Sequence, residues 1–214
     1  MNPSIQINDS HPLAGLLEEL TAQVINTATV NDVYLSTDKA SPEIIFTVFV
    51  DTSYTRIDEG LLELLNRIFE NHQSTTCTVF SCDYAADAIR KGNTYFIEHC
   101  VLGQLAYTNP DTTTILHPES EQPSVLLPRA KKHFKRAMGK VDGRYTTVPK
   151  ALKNEKYVDL AYALLQVLEQ LFKLAADVVL GKQLFAKDIQ EYQTALLSQA
   201  PIIAGLFDGQ DEED

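Results

Sequence analysis

The spacing of apolar residues changes partway along the 214-residue chain. Before about residue 107, short runs of β-branched and aromatic residues predominate, and residues 44–50 are apolar except for Thr47. Such a run indicates a strand that is covered on both faces. After about residue 126, apolar residues recur every three or four positions over long stretches, which is typical of amphipathic helices. The sequence therefore predicts an α+β protein in which a small α/β domain precedes an antiparallel helical bundle.

The α/β part has a regular order of predicted elements. We predict helices over residues 12–28, 58–71 and 83–91 and strands over residues 32–35, 43–50 and 75–81. Ser10 is the predicted cap of the first helix, and Gly92 is expected to end the third in a left-handed conformation. The order helix–strand–strand–helix–strand–helix favours one compact layered domain.

The domain boundaries follow from composition. Residues 108–124 are rich in Thr, Pro and Ser and show no hydrophobic period. Residues 208–214 include five acids. We predict an α/β domain over residues 1–107, a linker over 108–125, a helical bundle over 126–207 and an acidic tail over 208–214. In the bundle, Leu127 and Phe134 are expected to face inward from a basic helix, Tyr157 and Leu164 from a long helix over 155–180, and Phe185 from a third.

Charge is distributed unevenly. The net charge is −12 over residues 1–124, +6 over residues 125–207 and −5 over residues 208–214. Ten of the bases lie between Arg129 and Lys156, with only two acids among them, and a field of that strength can hold a nucleotide or an RNA backbone. The acidic half, the acidic tail and an external polyanion are all candidate partners. The candidate nucleotide- or RNA-binding residues are Arg129, Lys132, Lys135, Arg136 and Lys140.

Other classes of protein are disfavoured by the sequence. No apolar run is long enough to cross a bilayer, and no basic segment followed by an apolar one stands at the N-terminus, so we expect a cytoplasmic protein without a membrane partner. Cys77 and Cys82 are too few ligands for a zinc site, so we expect reduced thiols and no metal. We find no serine elbow, phosphate-binding loop or zinc-protease motif, and therefore expect no catalytic residues and no cofactor.

Residues 162–173, YALLQVLEQLFK, carry Gln166, Glu169 and Lys173 within an apolar helix. This stretch is similar to the central helix of HEPN domains, and the basic helix over residues 130–140 fits the first helix of that family. Residues 88–97 and 103–107 resemble the end of the minimal nucleotidyltransferase domain that often precedes HEPN. The resemblance implies a nucleotidyltransferase-like domain followed by a HEPN-like bundle, and it implies a homodimer that pairs through long helices of the bundle.

The chain departs from the nucleotidyltransferase pattern. The resemblance implies a Gly-Ser pair after the first strand and an Asp-x-Asp on the second, because the glycine admits the triphosphate and the carboxylates hold Mg²⁺. Here Ser36 stands where the glycine is expected, and Glu43 is followed two residues later by Ile45. A lone carboxylate does not clamp a nucleotide-bound metal, so we predict no nucleotidyl transfer.

The chain also departs from the ribonuclease pattern of HEPN domains. The family implies an Arg-x4–6-His motif near the end of the bundle, but His133 is the last histidine. Arg129 precedes it at a different spacing and on the first helix, and Arg67 with His72 lies in the other domain. We interpret both pairs as incidental. The leading hypothesis is a non-catalytic nucleotide- or RNA-binding regulatory protein, and the alternative is a divergent nucleotidyltransferase or HEPN-type ribonuclease with an unrecognised site.

Overall fold

The computed structural model describes residues 5–8, 10–37, 43–72, 74–111, 122–197 and 200–204. The fold is mixed α/β with a four-stranded mixed sheet. Two compact units are present: an α/β unit within residues 1–91 and 96–126, and a helical unit within residues 92–95 and 127–204. The sequence analysis assigned residues 92–95 to the α/β domain, whereas the structure packs these four residues with the helices.

The elements of the α/β unit follow the predicted order and extend it. They are α1 (Ala14–Thr27), β1 (Val30–Thr37), β2 (Ile44–Val50), α2 (Glu59–Phe69), β3 (Thr75–Ser81), α3 (Cys82–Lys91), a π-helical turn (Ile97–Val101) and β4 (Gln104–Thr108). The short α4 (Thr94–Phe96) comes between α3 and the π-helical turn, and its first two residues belong to the helical unit. The π-helical turn and β4 were not predicted. Ser10 was wrongly predicted to cap α1: the helix begins after Leu13, and the Ser10 hydroxyl donates to Asn8 instead.

The sheet has the order β3-β2-β1-β4, with β1 antiparallel to β2 and β4, and β2 parallel to β3. Every residue of β2 is buried, which agrees with its apolar sequence and its place inside the sheet. On one face, Phe46 meets Phe69 of α2 edge-on at 4.9 Å between ring centroids. On the other, Phe49 lies 5.4 Å from the ring of Tyr34. Aromatic pairs therefore help to fix α2 on one face of the sheet and to hold β1 against β2 on the other.

The helical unit contains most of α5 (Pro123–Tyr145), followed by α6 (Val148–Lys153), α7 (Tyr157–Val179), α8 (Ile189–Leu196) and a 3₁₀ turn (Pro201–Ile203). Asp188 caps α8 by accepting a hydrogen bond from the Glu191 amide at 2.8 Å. Phe172 of α7 stacks on Tyr192 of α8 with ring centroids 5.8 Å apart. This pair lies in a buried cluster with Ala176 and Leu196, and Ile203 packs against it.

Several side chains expected to face inward are exposed. They are Leu127, Phe134, Tyr157, Leu164 and Phe185. Helical spacing shows which residues share a face, but another element must cover that face before it becomes core. Because α8 is only 8 residues long, it packs on the C-terminal half of α7, around Phe172 and Ala176. The N-terminal half of the same face is left exposed.

Candidate nucleic-acid interface

Four of the five predicted binding residues form one stripe on α5. Arg129, Lys132, Arg136 and Lys140 follow one another at intervals of three, four and four residues within a continuous helix, so their side chains share a face. All four are exposed. We call these residues the basic stripe. At a rise of 1.5 Å per residue, it is about 16 Å long.

Lys135, the fifth predicted residue, does not belong to the basic stripe. It is exposed, but with Lys131 it forms a neighbouring row on α5: each lysine of this row comes one residue before Lys132 or Arg136 and therefore lies about 100° away from it around the helix. Within the described residues of the helical unit, the four side chains of the basic stripe make no ion pair. Their charge is therefore available to a ligand.

A cleft of about 330 Å³ lies beside the basic stripe, between α5 and α7. It is lined by His133, Ala137, Lys140, Gln170, Lys173, Leu174, Asp177, Gln183 and Phe185. Lys140 belongs both to the cleft and to the basic stripe, so the stripe leads directly into the cleft. The Lys173 ammonium lies 3.9 Å from Glu169, a half-exposed pair that contributes little to stability. The cleft thus combines two lysines, a histidine, an aspartate and two glutamine amides with an apolar wall.

A chain of hydrogen bonds fixes the histidine of this cleft. His133 Nε2 lies 2.7 Å from Asp177 Oδ2. The other Asp177 oxygen accepts a 3.0 Å bond from the side-chain amide of Asn93, which is buried, and the Asn93 oxygen accepts from the Tyr95 amide at 2.9 Å. With Asp177 accepting the Nε2 proton, a neutral His133 ring keeps its lone pair on Nδ1. The sequence analysis treated His133 as incidental and missed Asp177 and Asn93.

The residues that carry the HEPN resemblance lie along α7. The Gln166 side-chain oxygen accepts a hydrogen bond from Arg144 of α5, and Glu169 pairs with Lys173 one turn later. Only Lys173 of these three lines the cleft, beside Gln170. The residues that carry the resemblance therefore lie on the same helix as part of the cleft, but the hydrogen-bonded pair of His133 and Asp177 is not among them.

A second cavity, of about 350 Å³, lies in the α/β unit at the end of β1. Its polar wall includes Ser36, whose hydroxyl lies 2.8 Å from Nδ1 of the buried His99 on the π-helical turn. Ser36 pairs in register with Ile45, which is buried in β2, and Glu43 precedes that strand. Ser36 and Ile45 are the residues that stand in place of the expected glycine and second aspartate. Among the described residues, no group of three or more His, Cys, Asp or Glu side chains is placed to hold a metal.

The three cysteines are free thiols. Cys77 lies in β3, while Cys82 is the first residue of α3 rather than part of the strand. Burial raises the pKa of both thiols to about 12, so they stay protonated near neutral pH. Much of the predicted linker and the whole acidic tail lie outside the described residues.

Comparisons of the chain with models of protein families, with curated proteins and with solved structures gave no match. No helix in the described part of the chain is both long and apolar enough to cross a membrane.

Proposed function

We propose that this chain is a non-catalytic nucleotide- or RNA-binding regulatory protein of the HEPN type, with a degenerate nucleotidyltransferase-like α/β domain. The observation that carries the proposal is the basic stripe on α5 leading into the cleft with Lys140 and Lys173. A row of cations binds a phosphate backbone with little regard to sequence, because each contact releases counterions from the nucleic acid. The cleft adds two glutamine amides and a histidine that are suited to one phosphate or sugar.

The α/β domain supports the same proposal because two residues that nucleotidyl transfer needs are replaced in it. Ser36 has a Cβ where close approach of a triphosphate needs glycine, and the buried Ile45 offers no ligand to Mg²⁺. We infer that this domain does not transfer nucleotides. Its role in the proposal is structural or regulatory.

The basic stripe gives the proposal a direct test. We expect Lys132→Glu with Arg136→Glu to weaken binding of a short single-stranded RNA by about tenfold or more, because two phosphate contacts become repulsive. The dependence of log K on log salt should also become shallower by about 1.4, twice the value of about 0.7 per contact for single strands. Fluorescence anisotropy across a salt series measures both quantities.

The neighbouring row on α5, Lys131 and Lys135, provides a matched control. Lys131→Glu with Lys135→Glu changes the net charge equally but leaves the basic stripe intact, so it should weaken RNA binding much less. Equal losses in the two double variants would show that only net charge matters. If residues 129–156 instead dock on the acidic residues of the α/β unit, Lys132→Glu with Arg136→Glu should lower the free energy of unfolding by up to about 1 kcal/mol per lost pair and leave RNA binding unchanged. Asp87, one candidate for such docking, already pairs with Arg90 and Lys91 of its own helix.

A homodimer is part of the proposal. Tyr157, Val158, Leu164 and Leu165 leave an exposed apolar face on the N-terminal half of α7, where α8 does not reach. Contiguous apolar faces of this kind are typical of protein–protein interfaces. We propose that two copies pair through this face, with the long helices in contact.

The pairing of His133 with Asp177 favours a second candidate function, cleavage of RNA without a metal. His133 Nδ1 would take the proton of a ribose 2′-hydroxyl as that oxygen bonds to phosphorus. The bond from phosphorus to the 5′ oxygen would break, and the leaving oxygen would take a proton from Lys140 or Lys173. These two ammonium groups would also stabilise the charge that develops on the phosphoryl oxygens.

Under this second candidate, RNA incubated with the protein and a chelator should yield 2′,3′-cyclic phosphate ends. His133→Gln, purified in parallel, should reduce the rate by about 100-fold or more. The same strand made of DNA should remain intact, because it has no 2′-hydroxyl. Cleavage that survives His133→Gln would come from another site or a contaminant, and binding without cleavage is what the leading proposal expects.

A further inference from the structure

The basic stripe has a candidate occupant within the chain itself. Residues 208–214 carry five acids and no base, while the basic stripe carries four cations and the adjoining cleft adds Lys173. We propose that this acidic segment docks on the basic stripe and competes there with the polyanion. This inference rests on the proposed function, because it concerns the same surface and describes how polyanion binding there is regulated.

The place at which residues 201–204 are anchored supports the proposal. Ile203 packs against the cluster of Phe172 and Ala176 on α7, and the side chain of Gln193 donates to the Ile203 carbonyl at 3.0 Å. Phe172 and Ala176 are each adjacent in sequence to a cleft residue, Lys173 and Asp177. The anchored turn and the cleft therefore occupy neighbouring faces of one helix, which is only about 10–12 Å in diameter.

The length of the chain after Ala204 is sufficient. The ten residues 205–214 span up to about 33–36 Å when extended. The basic stripe is about 16 Å long, and the seven acidic-segment residues alone extend over about 23 Å. The segment can therefore reach the cleft from Ala204 and still lie along the whole stripe.

The cations that are not already paired determine where an acidic segment can bind in the helical unit. Asp177 is held by His133 and Asn93, and Glu169 is near Lys173, so the cleft keeps Lys140 as a cation without an ion pair among the described residues of the unit. Exposed pairs are individually weak, but tethering raises the effective concentration of the segment to the millimolar range. Weak pairs are therefore enough to compete with RNA at moderate salt.

The experiment has one arm without RNA. A labelled peptide with the sequence of residues 205–214 is titrated into the 214-residue chain in which Asp208, Asp211 and Asp214 are changed to Asn and Glu212 and Glu213 to Gln. We expect salt-sensitive binding that is weaker to the wild-type chain, whose own segment occupies the stripe. Binding should be lost when Lys132→Glu and Arg136→Glu are added, and it should be weakened much less by Lys131→Glu with Lys135→Glu. Absent binding, or binding that ignores the stripe, overturns the inference.

The second arm measures RNA affinity. At about 50 mM salt, neutralising the acidic segment should tighten RNA binding by about threefold or more, since an internal competitor is removed. The matched control changes five exposed acids of the α/β unit to Gln: Glu18, Glu19, Glu59, Glu63 and Glu70. An equal gain in the control, or no gain in the neutralised chain, overturns the inference. Peptide binding to the stripe in a protein that binds no RNA would support the inference while refuting the proposed function.

Discussion

Replacing Gly92 by alanine is expected to lower the free energy of unfolding by about 3 kcal/mol or more. Gly92 has φ of +82°, a conformation that costs a residue with a side chain about 1–2 kcal/mol. An added Cβ would also lie 2.5 Å from the Ala130 amide nitrogen and 2.7 Å from the Arg129 carbonyl carbon. These are backbone atoms of α5, so the contact is relieved only by moving the helix. The loss therefore combines backbone strain with overpacking.

Urea unfolding followed by circular dichroism measures this loss, and Gly139→Ala serves as its control. Gly139 lies inside α5, and an added Cβ there would meet nothing within 4 Å. That change should raise stability by about 0.5–1 kcal/mol, because alanine is the better helix former. If Gly92→Ala is as stable as the wild type, Gly92 does not lie against the backbone of α5. The neighbouring Asn93 would then not be held beside Asp177 by that contact.

The sequence was sufficient for the elements whose stability comes from their own apolar pattern. The prediction of a strand over 75–81 matches β3, and the buried run in β2 lies inside the sheet as its composition required. Asp58 caps α2, accepting from the Leu61 amide at 3.0 Å, next to the predicted start of that helix. Local signals were enough in these cases because the tertiary contacts reinforce them.

The elements that escaped prediction depend on distant partners. Strand β4 has only 5 residues, of which Gln104 and Thr108 are exposed, and its order comes from pairing with β1, about 70 residues earlier. The π-helical turn before it positions His99 against Ser36 across 63 residues. No spacing within residues 97–108 indicates either partner.

The candidate site also has one part that local sequence spacing predicts and one part that depends on distant contacts. The basic stripe could be predicted because its residues follow the period of one helix, with Lys135 three residues after Lys132 at the edge of the neighbouring row. The hydrogen bonds that Asp177 makes with His133 and Asn93 could not be predicted. His133 is 44 positions from Asp177 in the sequence, and Asn93 is 84 positions from it. Their types are common on helix surfaces, and only the packing of α5 and residues 92–95 against α7 brings them together.

Changing Leu165 to Glu is expected to convert the proposed homodimer into a monomer. Leu165 is 43% exposed on the uncovered apolar face of α7, next to Leu164 and about two helical turns from Tyr157 and Val158. A two-fold interface repeats every change, so two carboxylates would enter an apolar contact without partners. We expect the dimer dissociation constant to rise by about 100-fold or more, which corresponds to about 2.7 kcal/mol.

Sedimentation velocity over a concentration series measures this change, and Leu62→Glu is the matched control. Leu62 is 41% exposed on α2 of the α/β unit, so the control introduces the same charge at equal exposure and should leave the dimer intact. Because Leu165 and the cleft residues Lys173 and Asp177 point from different faces of α7, the monomeric variant should still bind RNA through the basic stripe. A wild-type chain that is monomeric at about 100 μM, or a Leu165→Glu variant with an unchanged dissociation constant, would exclude this face of α7 as the interface.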